Sequence, residues 1–187
     1  MSDVGTYNKL YSLSEIDEII KTQKEEIRFT IGDVVLFLLY ADNEPIKGKI
    51  RQMKEVFLAF KEIFPAKGFQ PVVFEKRQFG PYSEEVEHTI EQLTFSNYVE
   101  IQGNKQSNDF ILKLTPKGAS FIKQKFVNLP KKIQDALKQK REEWDSFIPS
   151  GIIHYVYIHN EEFLENSVLK NRYRKIDWTN ENQVPKK

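Results

Sequence analysis

The spacing of apolar residues changes twice between residues 83 and 126. It is helical at first, and the apolar face of this predicted helix consists of Val86, Ile90 and Leu93. From residue 98 to residue 114 apolar and polar residues alternate around a polar, turn-forming stretch at residues 103–109. This alternation predicts a β-hairpin with a long tip. The helical spacing then returns, so the predicted order is helix, hairpin, helix.

The borders of these elements carry their own signals. Ser83 precedes the first helix as a predicted N-cap, and Glu84 and Glu85 suit the positive end of that helix. Thr115 is expected to cap the helix after the hairpin, with Pro116 at the first helical position, where a missing N–H costs nothing. Together these features predict the C-terminal half of a winged helix-turn-helix.

Two further helices are predicted before this part of the chain. Thr30 and Asp33 form a capping box in front of the densely apolar segment 31–39, which should be the most buried helix. The next helix should end at Pro65, and its single apolar face consists of Ile46, Ile50, Met53, Phe57, Phe60 and Phe64. Residues 71–80 predict an extended run, which we interpret as a third strand beside the hairpin.

Residues on either side of this region predict more helices. Residues 1–11 should be loose, and a helical stripe that ends near Phe29 consists of Ile16, Ile19, Ile20 and Ile27. Another helix should begin at Pro130, and its apolar residues at heptad-like spacing are Ile133, Leu137, Trp144 and Phe147. This helix either packs on its own domain or forms a homodimer seam through residues 130–147. The apolar run 150–158 fits either a helix or a strand.

These elements predict an α+β fold that is mostly helical. A winged helix-turn-helix core with a small antiparallel sheet should occupy residues 30–127. An N-terminal helical extension is expected at residues 1–29 and a helical C-terminal extension at residues 128–187, where the polar end from Asp177 onward should fray.

Composition narrows the class of protein only slightly. The chain has 187 residues, of which 40% are hydrophobic and 29% charged, so it can bury a core. Its net charge is +1, so a case for nucleic acid or a membrane must rest on local clusters. The absence of cysteine excludes disulfides and thiolate metal sites. No signal peptide or membrane span is predicted, which indicates a cytoplasmic protein.

Two motifs resemble known winged-helix proteins. Leu114-Thr115-Pro116-Lys117-Gly118 resembles the segment after the wing in many prokaryotic winged-helix regulators. Phe79-Gly80-Pro81-Tyr82-Ser83 is similar to a narrower group, the small bacterial and archaeal winged-helix proteins of the YwgA-like and SocA-antitoxin-like kind. Three further segments share that similarity: Lys49 to Lys54, Tyr155 to Tyr157, and Asn166-Ser167. The resemblance covers roughly residues 30–175 and implies a binding role, since the group has no catalytic residues to carry over.

The predicted helix in the recognition position is acidic. It carries Glu84, Glu85, Glu87 and Glu91, with no lysine or arginine between residues 83 and 100. Phosphates along a major groove would repel these carboxylates, so this helix is not expected to read bases. The helix dipole explains the first two, whereas Glu87 and Glu91 are candidates for contact with a basic protein partner. Residues 64–82 also replace the tight turn that normally positions a recognition helix.

Basic residues cluster in two other places. Nine basic residues and one acidic residue, Asp135, lie between residues 113 and 141, and four more basic residues lie between residues 47 and 54. Each cluster is either a solvated helix face or a surface that contacts phosphates. The candidate nucleic-acid contacts are Lys47, Lys49, Arg51, Lys54, Lys123, Lys125, Lys131, Lys132, Lys138, Lys140 and Arg141, with Lys105 at the hairpin tip.

Catalytic constellations are scarce. The histidines are His88, His154 and His159, and the last two are five residues apart, so a helix would point them to different faces. The sequence has no phosphate-binding glycine loop, dinucleotide glycine pattern or nucleophile elbow. We therefore expect no catalytic residue, no metal site and no cofactor, in a protein that is not an enzyme.

Arg77, Phe79 and Tyr82 surround a kink at Gly80-Pro81. They form either an exposed contact point, in which Phe79 and Tyr82 are candidates for protein interaction, or a rigid corner between a strand and the following helix.

Two functions remain from these observations. The first is a DNA-binding transcription regulator, a homodimer that contacts phosphates through its lysines without enzymatic activity. The second is a protein-interaction module, an antitoxin-like or adaptor component whose acidic helix at residues 83–97 meets a basic partner. The basic clusters and the general use of winged helices favour the first hypothesis, whereas the acidic helix favours the second.

Overall fold

The computed structural model describes residues 28–64, 68–104 and 110–173. Most of the helix predicted up to Phe29, the hairpin tip with Lys105, and the polar C-terminal end lie outside the described residues. The described chain is an α+β structure and mostly helical, as predicted.

Six helices of at least ten residues are present in the described ranges: α1 (Ile31–Ala41), α2 (Lys49–Leu58), α3 (Glu84–Phe95), α4 (Pro116–Val127), α5 (Lys131–Ser146) and α6 (Pro149–His159). A π-helical turn (Ala59–Ile63) extends α2, and a 3₁₀ turn (Glu161–Leu164) and the short helix α7 (Lys170–Tyr173) follow α6. The strands are β1 (Ile46–Lys47), β2 (Glu75–Arg77), β3 (Gly80–Tyr82), β4 (Val99–Gln102) and β5 (Ile111–Leu114).

Helix α1 is the central helix of the core. The hydroxyl of Thr30 accepts a hydrogen bond from the backbone N–H of Asp33 at 3.2 Å, and the Asp33 carboxylate accepts one from the backbone N–H of Thr30 at 2.9 Å. This is the predicted capping box, which satisfies amides that a helix start leaves unpaired. Ten of the eleven residues of α1 are buried, a fraction that no other described helix reaches. The prediction of the most buried helix is confirmed.

The predicted hairpin is present and belongs to a three-stranded antiparallel sheet of order β1–β5–β4. Ile46 of β1 and Ile101 of β4 both pair with Leu112 of β5. The prediction that Ile46 belongs to the helical face is therefore wrong, because it is a strand residue. Gly48 separates β1 from α2 with a φ of +101°, and its N–H donates to the carbonyl of Phe110 at 2.7 Å.

The extended run at residues 71–80 does not join the hairpin sheet. Strands β2 and β3 pair with each other in a separate two-stranded sheet, with Glu75 opposite Tyr82 and Arg77 opposite Gly80. The prediction of a third strand from this segment beside the hairpin is wrong, because the chain turns back on itself at Gln78. Strand β1 has that place instead.

The C-terminal helices share the core of the rest of the described chain. Leu137, Trp144 and Phe147, predicted at heptad-like spacing, are at most 1% exposed within one chain and belong to a hydrophobic cluster that also contains α1. Intramolecular packing is confirmed for these three side chains, which leaves them unavailable for a seam. The homodimer itself stays a prediction. Residues 150–158 are helical and form most of α6.

A buried charge network joins α1, α2 and α5. Arg141 of α5 is 0% exposed and forms ion pairs with Glu55 of α2, with Asp145 at 3.0 Å, and with Asp42 at 3.2 Å. Asp42 is the C-cap residue of α1. Burial raises the pKa of Glu55 to about 7, although the positive charge of Arg141 opposes this shift.

Arg51 extends this network to the junction between α5 and α6. Its guanidinium donates to the backbone carbonyls of Trp144 and Phe147 at 2.5 Å each, and lies 3.5 Å from Glu55. These carbonyls end α5, where a helix leaves its last C=O groups without partners. The network therefore holds α2 against the end of α5, directly before α6 begins at Pro149.

Helix α4 approaches the start of the hairpin closely at Gly118. A Cβ atom on Gly118 would lie 2.0 Å from the carbonyl oxygen of Tyr98 and 2.9 Å from the side chain of Leu114. Only glycine leaves room for this contact. The glycine of the Leu-Thr-Pro-Lys-Gly segment is thus explained by packing of α4 against β4.

We expect R141M to lower the free energy of unfolding by roughly 3–5 kcal/mol, because the buried carboxyl group of Glu55 would lose its main partner. The double variant R141M/E55M, which removes both charges, should be more stable than R141M. Urea denaturation measures all three proteins, with K132M as the control, since Lys132 is exposed on the same helix. The control should stay within about 0.5 kcal/mol of the wild type. A loss below about 1 kcal/mol in R141M would contradict the central place of the network.

Gly118 and Gly32, each in the first turn of its helix, should respond to alanine in opposite ways. G118A should destabilise the fold by roughly 1–3 kcal/mol or more, because the backbone must shift away from Tyr98. In G32A the new Cβ would meet its nearest atoms at 3.5 Å or more, which is ordinary contact. Alanine is favoured over glycine in a helix by about 1 kcal/mol, so G32A should stabilise. Thermal unfolding of both variants measures the difference, and a stable G118A would show that the close contact with Tyr98 is absent.

Candidate functional site

The described structure contains a concave site, a cleft of about 1160 Å³. It lies between the β1–α2 junction, the β2–β3 hairpin, the start of α6, and the segment before α7. Its walls belong to residues 47–54, 76–84, 149–153 and 166–169. We call this space the basic cleft.

The charges around the basic cleft are unbalanced. Among the described residues that line it, one is acidic, Glu84. The basic residues that line it are Lys47, Lys49, Arg51, Lys54, Lys76 and Arg77. Low-dielectric walls focus such a field and raise the local concentration of anions. The site is therefore suited to a negatively charged ligand.

Three of the basic side chains at the rim have carboxylate partners. Lys49 pairs with Glu87, and Lys76 pairs with Glu165 at 2.7 Å. Arg77 pairs with Glu75 at 2.7 Å and lies 3.0 Å from Glu84. Exposed pairs of this kind contribute about 0–1 kcal/mol, so a multiply charged anion can replace their carboxylates.

Lys54 lies at the floor of the cleft and differs from the rim residues. Its side chain is 3% exposed, and its ammonium group donates to the carbonyl of Pro81 at 2.7 Å. Within the described residues it has no carboxylate partner, and burial alone lowers its pKa to about 7. A charged group in this setting has lost its water without gaining a counter-charge.

The Gly80-Pro81 kink forms one wall of the cleft. A Cβ on Gly80, which has a φ of +90°, would lie 3.1 Å from the ring of Tyr157, so the hairpin packs tightly on α6. The hydroxyl of Tyr157 donates to Ser167 at 2.6 Å, and Ser167 donates to the carbonyl of Gln78 at 3.1 Å. The kink is therefore a rigid corner, as one of the two interpretations proposed.

The rigid corner also presents aromatic surface to the cleft. Phe79 is 41% exposed at its edge, and the guanidinium of Arg77 lies 5.3 Å from the ring centre of Tyr82. The hydroxyl of Tyr82 donates to Glu87, and this bond is the main reason that the pKa of Tyr82 rises to about 12. The opposite wall includes Ile50, which is 36% exposed. Apolar and aromatic surface beside cations suits a ligand with both a ring and a charge.

The start of α2 opens on the same cleft. Gly48 and Lys49 line it, and no side chain of the described residues caps this helix. Unpaired first-turn amides and the helix dipole attract anions. This backbone feature adds to the positive side chains around the cleft.

Three of the predicted nucleic-acid contacts are not on the surface. Arg51, Lys54 and Arg141 are 5%, 3% and 0% exposed, so the prediction that they form part of an exposed basic face is wrong. In the sequence they lie among exposed lysines. In the fold, Arg51 and Arg141 lie beside the buried carboxylate of Glu55, and Lys54 lies at the floor of the cleft.

The basic run between residues 113 and 141 is partly neutralised. Lys125 pairs with Asp33 at 2.7 Å, Lys131 with Asp135 at 2.9 Å, and Lys140 with Glu62 at 2.9 Å. Exposed lysines of this run for which the described chain provides no carboxylate partner are Lys117, Lys123, Lys132 and Lys138, and Lys117 donates to the carbonyl of Ser96. Lys105 lies outside the described residues.

The four residues predicted for protein contact lie in two different places. Phe79 and Tyr82 line the basic cleft together with Lys47 and Lys49, which were predicted for a different function. Glu87 bonds to Lys49 and Tyr82. The carboxylate therefore holds the rim of the cleft. Glu91 is exposed on α3, beside Glu87 at a small pocket of about 30 Å³.

The sequence analysis missed Lys76 and did not select Arg77 as a site residue. Both precede the Gly80-Pro81 kink, and pairing of β2 with β3 brings them beside Lys47 and Lys49. A pair of adjacent basic residues before a kink was the available signal, but it carries little weight without the fold.

The described residues were also searched for a metal site and for a membrane-spanning helix. Within residues 28–64, 68–104 and 110–173, no group of three or more acidic or histidine side chains is placed to hold a metal ion. None of the helices in these ranges is long and apolar enough to cross a bilayer. His154 is 4% exposed in the core, and burial lowers its pKa.

Replacing Lys54 by methionine should stabilise the protein at low pH. The pKa of Lys54 is lowered from 10.5 to about 7, so between these values the unfolded chain binds a proton that the folded chain does not. The penalty is absent above pH 10.5, grows as the pH falls, and is complete below pH 7. Its size is on the order of 5 kcal/mol, less about 1 kcal/mol for the lost bond to Pro81.

Denaturation of K54M and wild type across this pH range measures the effect. K76M is the matched control, because Lys76 lines the same cleft but is exposed and paired with Glu165. The advantage of K54M over wild type should be largest near pH 6 and vanish toward pH 10. Parallel pH profiles for K54M and wild type would show that Lys54 keeps an ordinary pKa in the folded chain.

Two comparisons with known proteins found no match. No protein-family model matches the sequence, and no curated protein matches it. The resemblance to YwgA-like and SocA-antitoxin-like proteins therefore stays a prediction. We therefore base the proposal of a function on the geometry and the charge of the basic cleft.

Proposed function

We propose that this protein binds nucleic acid and contacts its phosphates through the basic cleft. One observation carries the proposal: four exposed basic side chains line a single cleft with one acidic residue, Glu84, among the described residues, and the buried Lys54 lies in the same cleft. The four are Lys47, Lys49, Lys76 and Arg77. Phosphate contacts supply most of the affinity of non-specific nucleic-acid binding and position the strand without reading its sequence.

The order of elements supports a winged-helix scaffold for this function. Helix α1, strand β1, helices α2 and α3, and the β4–β5 hairpin follow one another as in a winged helix, and β1 pairs with the hairpin. The segment between α2 and α3 is the departure, because it contains the β2–β3 hairpin. The basic surface is then beside the start of α3 and not on α3 itself.

The acidic character of α3 agrees with a basic binding surface that lies beside this helix and not on it. Glu84 contacts Arg77, and Glu87 contacts Lys49, so two carboxylates of α3 position basic residues of the rim. Glu85 accepts a hydrogen bond from Gln70 at 2.8 Å. We therefore assign α3 a supporting role and not that of a helix in the major groove.

The size of the cleft favours a single strand over a duplex. Its volume is close to that of a small-molecule pocket, which admits a nucleotide but not a double helix. Phe79 at its edge provides an exposed ring for a base to stack on, and such stacking contributes about 1–3 kcal/mol per base. A duplex would contact the rim only.

A protein-interaction function has one observation in its favour. Phe95, near the end of α3, is 94% exposed, and Glu91 precedes it by four residues, so the two are neighbours on one helix face. An exposed aromatic side chain beside a carboxylate suits a protein partner with an apolar and basic surface. We rank this function second, because the face is small compared with the basic cleft.

Charge removal at the cleft should weaken nucleic-acid binding. We expect K47Q/K76Q/R77Q to lose at least roughly tenfold in affinity for a short single strand at low salt, and to show a shallower salt dependence, by about 0.7 in log–log slope per lost contact. Fluorescence anisotropy with labelled single-stranded and duplex oligonucleotides between about 50 and 200 mM salt measures both quantities.

The control variant K123Q/K132Q/K138Q removes the same charge from exposed lysines of α4 and α5. It should bind nearly as wild type. If the control loses affinity and the cleft variant does not, the phosphate-contacting surface is the lysine run that the sequence suggested. If wild type binds neither oligonucleotide at low salt, the nucleic-acid function is wrong and the protein-interaction function of α3 gains support.

A further inference from the structure

We infer that the floor of the basic cleft is a site for a phosphate monoester, held by the ammonium group of Lys54. The ligand group would be the phosphate of a free nucleotide or the phosphorylated end of a strand. The inference rests on the proposed function for the nature of the ligand, and it adds a second, separate contact below the rim.

Lys54 differs from the other buried cations of the described chain. Arg51 and Arg141 are equally buried, but each lies within ion-pair distance of Glu55. Lys54 donates to one carbonyl, that of Pro81, and no described carboxylate pairs with it. An ammonium group has three donors, so two remain for a ligand.

The surroundings of Lys54 determine what kind of ligand can pair with it. Lys54 lines the cleft from its floor, so an anion that enters the cleft reaches it without passing through the core. Lysine side chains on a helix lean toward the helix N-terminus, and α2 begins at the same cleft with first-turn amides that no described side chain caps. A buried lysine and a helix start thus border one space.

Two properties distinguish a monoester from the diester groups inside a strand. A terminal phosphate carries close to two negative charges near neutral pH, whereas a diester carries one. A terminal group also projects from the strand, while a diester is held by chain on both sides and stays at the rim. The floor residue and the rim residues Lys47, Lys76 and Arg77 would therefore contact different phosphates of one ligand.

The experiment compares ligands that differ by one phosphate. Isothermal titration calorimetry measures binding of adenosine monophosphate against adenosine, and of a 5′-phosphorylated single strand against its 5′-hydroxyl counterpart. Wild type should prefer each phosphorylated ligand by roughly tenfold or more, the worth of one charge-assisted contact. K54M should lose this preference and keep most of the affinity that the rim gives for the 5′-hydroxyl strand. The control K132M changes an exposed lysine outside the cleft and should keep both the preference and the affinity.

Each outcome separates this inference from the proposed function. Equal binding of phosphorylated and unphosphorylated ligands by wild type overturns the floor site, even if K54M does not fold, and leaves binding at the rim intact. A preference that survives in K54M overturns the assignment to Lys54. Binding of adenosine monophosphate that depends on Lys54, without binding of either strand, supports the floor site and overturns the nucleic-acid function.

Discussion

A buried ion pair between α2 and α5 is the contact on which the arrangement of this molecule depends. Arg141 neutralises Glu55 inside the core and reaches Asp42 at the end of α1, so three helices meet at one charge cluster. In a low-dielectric interior, loss of one partner leaves the other without its main compensating charge. The same helix α2 presents Lys49 and Lys54 to the basic cleft. One helix thus carries both the buried ion pairs and two lysines of the cleft.

The contrast between two kinds of buried charge on α2 connects stability with function. Arg51 and Glu55 lie four residues apart and neutralise each other together with Arg141. Lys54 has the backbone carbonyl of Pro81 and no described carboxylate, so burial works against its charge. A group that lowers stability in the free protein is typical of a site whose partner is a ligand.

Local sequence signals predicted those elements whose stabilising contacts lie close together in the chain. Thr30 and Thr115 cap helices by bonds to residues three positions later, and the β4–β5 hairpin pairs neighbouring strands. Ile46 fits a helical spacing but pairs with Leu112, a partner far along the chain that no local pattern specifies. Charge counting along the sequence likewise treated Arg141 and Lys132 as equivalent, although one is buried and the other exposed.

By itself the sequence determined the helices around their caps, the hairpin, the mostly helical α+β class, and the presence of two basic clusters. Only the tertiary structure decided which basic residues share a surface. Lys47 and Arg77 meet because the β2–β3 hairpin packs beside the β1–α2 junction, a contact between distant segments. The physical reason is that capping and periodicity act over a few residues. Burial and charge pairing depend on whatever the fold brings into contact.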